Sequence, residues 1–98
     1  MAEEMDNLTS DSPDLSAFLI AVGERVRNVR EFRGLTRREL GEAIGLQGNS
    51  ANTGIYALEV QGGATRIDTI FKVARVLNVK PGFLLDGGDL RIEQVKTF

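Results

Sequence analysis

From Leu15 onward the apolar residues fall at three- and four-residue steps: Leu15, Phe18, Leu19, Val22, Val26, Val29 and Phe32. That period predicts a helix with one buried stripe. Ser12-Pro13-Asp14 supplies its start, with a capping hydroxyl, a proline suited to the first helical position and an acid at the positive end of the dipole. Gly34 is placed to end it. A second helix follows at once, with Thr36 as N-cap and Glu39 three residues on, the spacing of a capping box. Leu40, Ala43 and Ile44 are its expected apolar face, and Gly45 its stop. Residues 46–54 (LQGNSANTG) are polar and rich in Gly and Asn, and read as a loop or a weak helix start. A short third helix then carries Ile55, Leu58 and Glu59 and ends near Gly62-Gly63. Thr65 is the expected cap of a fourth, with Ile67, Ile70, Phe71, Ala74 and Leu77 on one face. Pro81 opens a last short helix containing Phe83, Leu84 and Leu85.

The fold class is therefore all-α, with five helices and a long first one. Residues 1–11 are polar, acidic and aperiodic, and are expected to be a disordered tail. Residues 12–86 form the domain. Residues 87–98 form a C-terminal tail in which Leu90, Arg91, Ile92 and Glu93 alternate before the phase is lost, which fits a short strand or a frayed helix. A lone strand wants a partner, such as the same tail of a second subunit, so this segment is a candidate dimerisation element.

Composition narrows the function classes. The 98 residues include no Cys and no His, which removes thiol nucleophiles, Cys/His zinc sites, imidazole bases and disulfides together. No cofactor or metal is expected, and no catalytic residue stands out. The longest purely apolar run, Ala17 to Val22, is six residues, far short of a membrane span. The first residues carry Glu3, Glu4 and Asp6 rather than bases, unlike a secretory signal. The expectation is a soluble, cytoplasmic, single-domain protein that is not an enzyme. The net charge of −2 hides a gradient, with residues 1–17 at −5, residues 18–80 at +4 and residues 81–98 at −1. The basic middle is where an anionic partner would dock, although a solvated mixed-charge surface accounts for the same balance.

Two short helices joined by a tight glycine-containing turn match the helix-turn-helix unit, here Leu40-Gly41-Glu42-Ala43-Ile44-Gly45 leading toward Ile55 and Leu58. Residues 23–86 resemble the lambdoid-phage repressor and Xre-type helix-turn-helix family. The resemblance is carried by GERVRNVREFRGLTRRELGEAIG, by IYALE, and by TRIDTIFKVARVLNVKPGFLLDG. It implies five helices and a homodimer, with the third helix in the DNA major groove and the start of the second on the backbone. Arg30 and Glu59 match an Arg and a Glu that pair inside several phage repressors, so an ion pair linking the first and third helices is expected.

One departure bears on the site. The family has about five residues between the turn glycine and the isoleucine of the third helix, whereas nine separate Gly45 from Ile55. Four extra residues approximate one 3.6-residue helical turn. Gly and Asn weaken helices, so the insertion is expected to lengthen the loop, with the third helix starting between residues 50 and 53.

The resemblance also assigns candidate DNA contacts. Arg37 falls at the start of the second helix, where the family usually has Gln, and an Arg there can reach phosphate. Arg38 is a weaker candidate. Counting back from Ile55, Asn52 and Thr53 fall on the family's base-contacting positions; Asn can pair bidentately with adenine, and Thr can touch a base edge or a thymine methyl. Gln47, Asn49 and Ser50 lie in the insertion, within reach of bases or phosphates. Tyr56 is placed for the backbone, and Gln61 matches the loop that offers backbone N–H groups to phosphate. A solvated loop with helix caps would also account for this polar cluster.

Two functions follow. One is a sequence-specific DNA-binding regulator, a repressor acting as a homodimer on an inverted repeat in double-stranded DNA. The other is a protein-interaction module on the same fold, an antitoxin or adaptor that binds a protein partner through the apolar residues Phe18, Leu19, Ile20 and Val22. That segment also fits a dimer interface or packing on its own domain.

Overall fold

The computed structural model describes residues 13–60 and 65–87, which form five helices: α1 (Pro13–Phe32), α2 (Arg37–Ala43), α3 (Asn49–Val60), α4 (Ile67–Leu77) and α5 (Pro81–Asp86). The expected tails apart from Gly87, the Ser12 cap, Gln61 and the expected helix end at Gly62-Gly63 lie outside the described residues. Among the described residues, no helix is long and apolar enough to cross a membrane.

The core forms where the helices turn their stripes inward. Val22, Val26 and Val29 of α1 meet Leu40 of α2, Ile55 and Leu58 of α3, Ile70, Val73, Ala74 and Leu77 of α4, Val79, and Leu84 of α5. The apolar stripe of α1 is two-sided in its fate. Its valines are buried, but Phe18, Ile20 and Phe32 remain exposed. In α4 the buried face is Ile70, Val73, Ala74 and Leu77, and two residues expected there, Ile67 and Phe71, stand in solvent at 74% and 49% exposure. In α2 Ala43 is likewise exposed, and the small residue packed inside is Gly41.

Two termini differ from the sequence pattern. The cap position of α4 is Arg66, not Thr65, and no side chain caps it. Packing of the α4 core face, with Ile70, Val73, Ala74 and Leu77 buried, sets that register. The larger difference is α3, which starts at Asn49, one residue before the expected window, and takes in Asn49 and Ser50 of the insertion while Gln47 stays in the turn. The turn between α2 and α3 is short instead, bent by Gly45 at φ +102° and Gly48 at φ +59°, a region glycine enters at little cost. Weak propensity at Asn49, Asn52 and Gly54 amounts to less than about 1 kcal/mol per residue. Burial outweighs it: Ala51 is fully buried, and α2 meets it at Gly41, where a Cβ would lie on the Ala51 carbonyl oxygen.

The capping box of α2 is formed as its spacing predicts. The Glu39 amide donates to Thr36 Oγ1 at 3.0 Å, and the Thr36 amide donates to Glu39 Oε1 at 2.8 Å. Thr36→Ala should cost about 1 kcal/mol, read as a lower urea midpoint with an unchanged slope.

Two arginines of α1, Arg25 and Arg30, and Arg33 just beyond its end tie it to the rest of the fold. Arg25 Nη1 donates to the carbonyls of Leu84 and Leu85 at 3.2 and 2.9 Å, at the C-terminal end of α5. Arg33 does the same for α4, donating to Leu77 at 2.8 Å and Asn78 at 3.3 Å. Cations on the unpaired carbonyls of a helix end satisfy both hydrogen bonding and the dipole. The third, Arg30, points at α3.

Candidate nucleic-acid interface

The candidate surface is the outer face of α3 with the N-terminus of α2 beside it. Its frame is the buried carboxylate of Glu59, whose side chain is fully inaccessible. Arg30 grips it with both ends of its fork, Nε to Oε2 at 2.6 Å and Nη2 to Oε1 at 3.0 Å. Arg30 Nη1 donates to the Leu35 carbonyl at 2.7 Å, so the same side chain fixes the α1–α2 turn. The hydrogen bond to Glu59 raises the Arg30 pKa above its ordinary value and outweighs the opposing effect of burial. The expected α1–α3 ion pair is therefore present, with a bidentate geometry that Lys could not reproduce.

A second arginine joins it. Arg37 Nε donates to Glu59 Oε1 at 3.0 Å, and its guanidinium lies 5.1 Å from the Tyr56 ring centroid. The resemblance paired Glu59 with Arg30 alone. Arg37 is thus no free surface cation; it is half-buried and held from two sides, with one flank open to solvent. Arg38 is more exposed, and its Nε donates to Glu42 Oε2 at 3.2 Å, one turn along α2.

On α3 the residues Asn49, Ser50, Asn52, Thr53 and Tyr56 are all exposed, and Gln47 is exposed in the preceding turn. The buried residues of the same helix, Ala51, Ile55, Leu58 and Glu59, occupy its opposite side. Thr53 Oγ1 donates to the Asn49 carbonyl at 3.0 Å, which commits its hydroxyl proton to the helix. The helix thus brings Asn49, Asn52, Thr53 and Tyr56 onto one outward surface, with Arg37 against its Tyr56 edge.

The other flank of α3 was not legible in the sequence. A cleft of about 330 Å³ runs between α3 and the start of α4, lined by Gly54 and Ala57 on one wall and by Thr65, Arg66, Thr69 and Lys72 on the other. Arg66 Nε donates to Asp68 Oδ1 at 3.1 Å and remains exposed. Lys72 follows Arg66 by six residues, off the apolar stripe of α4, and that polar position is the signal that could have found it. The candidate surface is therefore uncharged along its crest, with guanidinium and ammonium groups on both sides.

The helix-turn-helix family model covers residues 26–84, which is more than half of the chain. No curated protein and no solved structure matches it. The matched span runs from within α1 to within α5 and contains the whole α2–turn–α3 unit. With that span, the capped α2, the glycine turn and the exposed polar α3, the chain belongs to the Xre/lambda-repressor-like helix-turn-helix family, a family of DNA-binding regulators and not of enzymes.

Proposed function

We propose that the chain is a cytoplasmic, sequence-specific transcriptional repressor that occupies an inverted-repeat operator as a homodimer. The observation that carries this reading is the exposed, uncharged polar crest of α3, held on a rigid buried frame and flanked by cations. In this mechanism α3 enters the major groove, where Asn49, Asn52 and Thr53 face base edges and Gln47 and Ser50 lie within reach. Arg37, Arg38 and Tyr56 meet one phosphate strand at the start of α2, and Arg66 and Lys72 meet the other side. The two half-sites lie about 34 Å apart, one turn of the duplex. Regulation is by occupancy of the site.

Salt dependence of duplex binding tests it. Four phosphate-facing cations in each protomer give about eight in a dimer, hence a log–log slope of about −7 against salt. Arg37→Ala should weaken binding to all sequences and reduce the slope by roughly 2. Weak binding that is flat with salt would overturn the DNA-binding reading.

A second reading has its own support. Phe18 and Ile20 of α1 are 43% and 49% exposed, and Ile67 is more exposed still. Phe18, Leu19, Val22, Ile67, Ile70 and Leu85 line an apolar cleft of about 250 Å³ between α1, α4 and α5. For a repressor this is a candidate dimer seam, and for an antitoxin or adaptor it is the seat of a protein partner. Light scattering on the purified chain separates them, since a dimer in the absence of any partner favours the first.

A further inference from the structure

We infer that the half-site read by α3 is centred on A·T pairs, with Asn49 and Asn52 contacting adenines in neighbouring base pairs. This rests on the DNA-binding reading and adds the chemistry of the site. In the major groove, guanine is read chiefly by Arg or Lys and cytosine by Asp or Glu, whereas adenine is read by Asn or Gln and thymine through its methyl group. Between Arg38 and Arg66 the sequence contains no Lys or Arg at all. The acids of that stretch are Glu39, Glu42 and Glu59. Glu39 closes the capping box, Glu42 accepts from Arg38, and Glu59 is buried between two arginines. The crest of α3 therefore presents neither of the groups that favour a G·C pair.

What it does present suits A·T. Asn49 and Asn52 are exposed amides one turn apart. At about 1.5 Å rise per residue they lie roughly 4.5 Å apart along the helix axis, close to the ~3.4 Å step between stacked base pairs. Thr53 has committed its hydroxyl proton to the Asn49 carbonyl. It meets a base as an acceptor or through its methyl, which fits an adenine or cytosine amino group or the thymine methyl and excludes donation to guanine, so the preference for A·T rests on the two amides. The two arginines nearest the crest are engaged elsewhere, Arg37 by Glu59 and Tyr56 and Arg38 by Glu42.

The test is in vitro selection from random duplex DNA with the full chain, followed by affinity measurements on the enriched site. The expected half-site has adjacent A·T pairs at its most constrained positions. Exchange of either for G·C lowers affinity roughly tenfold. Replacing those adenines with 7-deazaadenine, which lacks the N7 acceptor, weakens the parent protein but leaves Asn52→Ala or Asn49→Ala within about twofold at the matching position. Both substitutions place the better helix former at an exposed site, so folding is kept, and a denaturation curve verifies it. A half-site anchored on guanine, or adenines whose preference survives both substitutions, overturns the inference while leaving DNA binding intact. No enriched sequence from folded protein overturns the DNA-binding reading and this inference with it.

Discussion

Glu59→Ala is expected to destabilise the domain by about 3–5 kcal/mol or more, enough to leave a small domain marginal. The substitution removes the buried carboxylate that pairs with Arg30 and Arg37, and Arg30 is left buried with only the longer, solvent-exposed contact to Glu31 at 3.9 Å. Arg30→Ala should fall second, because Glu59 then keeps Arg37. Arg37→Ala should fall third, because its side chain is 27% exposed and the buried bidentate pair survives it. Urea denaturation of the three variants gives this order directly, and a different order would show that the network is not centred on Glu59. Replacing all three groups by apolar side chains of similar volume should recover much of the loss, since the penalty lies in stranded charge. The Arg30 contribution has a definite pH sign. Its pKa is raised in the fold, so its stabilisation is fully present below the unfolded value and is lost only as pH climbs through the folded one. That window lies above the ordinary arginine value, so the Arg30 share stays constant from about pH 6 to pH 9.

Gly41→Ala should cost about 3 kcal/mol and lower sequence-specific DNA binding by more than that loss of stability explains. An added methyl would overlap the Ala51 carbonyl oxygen and lie only 2.6 Å from the Ala51 carbonyl carbon and Cα. All three atoms are backbone, so the first turn of α3 must move away from α2, and overpacking of this kind costs about 1–3 kcal/mol, occasionally more. The displaced turn carries Asn49, Asn52 and Thr53, and hydrogen bonds to bases tolerate little displacement. Gly54→Ala is the control of opposite sign. A methyl there meets only the Leu46 Cδ1 at 2.9 Å, the end of a flexible side chain. Ala in place of Gly within a helix contributes up to about 1 kcal/mol. Thermal unfolding should therefore move down for the first variant and up for the second.

Those two glycines also mark where sequence reasoning stopped. The periodicity of α1, the Thr36–Glu39 box and Pro81 at the start of α5 are local signals, and they placed three helices correctly. The Arg30–Glu59 pair came from the family resemblance and is present. The start of α3 was misread because Gly48, Asn49, Asn52 and Gly54 argue locally for a loop, while the deciding contact, Gly41 against Ala51, joins two helices. The same limit applies to Ile67 and Phe71, which fit the α4 stripe by spacing yet are left exposed, Ile67 at the rim of the cleft between α1 and α5. The polar candidates on α3 were legible as a group, and their contacts with DNA are the proposal made above. Arg37 was legible as a basic residue at the start of α2, but not as the second partner of Glu59, because that pairing depends on how closely α2 crosses α3.

Arg25 of α1 and Arg33 just beyond it have a consequence for the order in which the chain folds. Arg25 finds its acceptors 59 and 60 residues downstream, and Arg33 finds its own 44 and 45 residues downstream. During synthesis Arg33 can reach both of its acceptors only once Asn78 has emerged, and Arg25 only once Leu85 has. Closure then recruits the first and last helices in the same event, so α5, too short to persist alone, should exchange its amide hydrogens only when the whole domain opens.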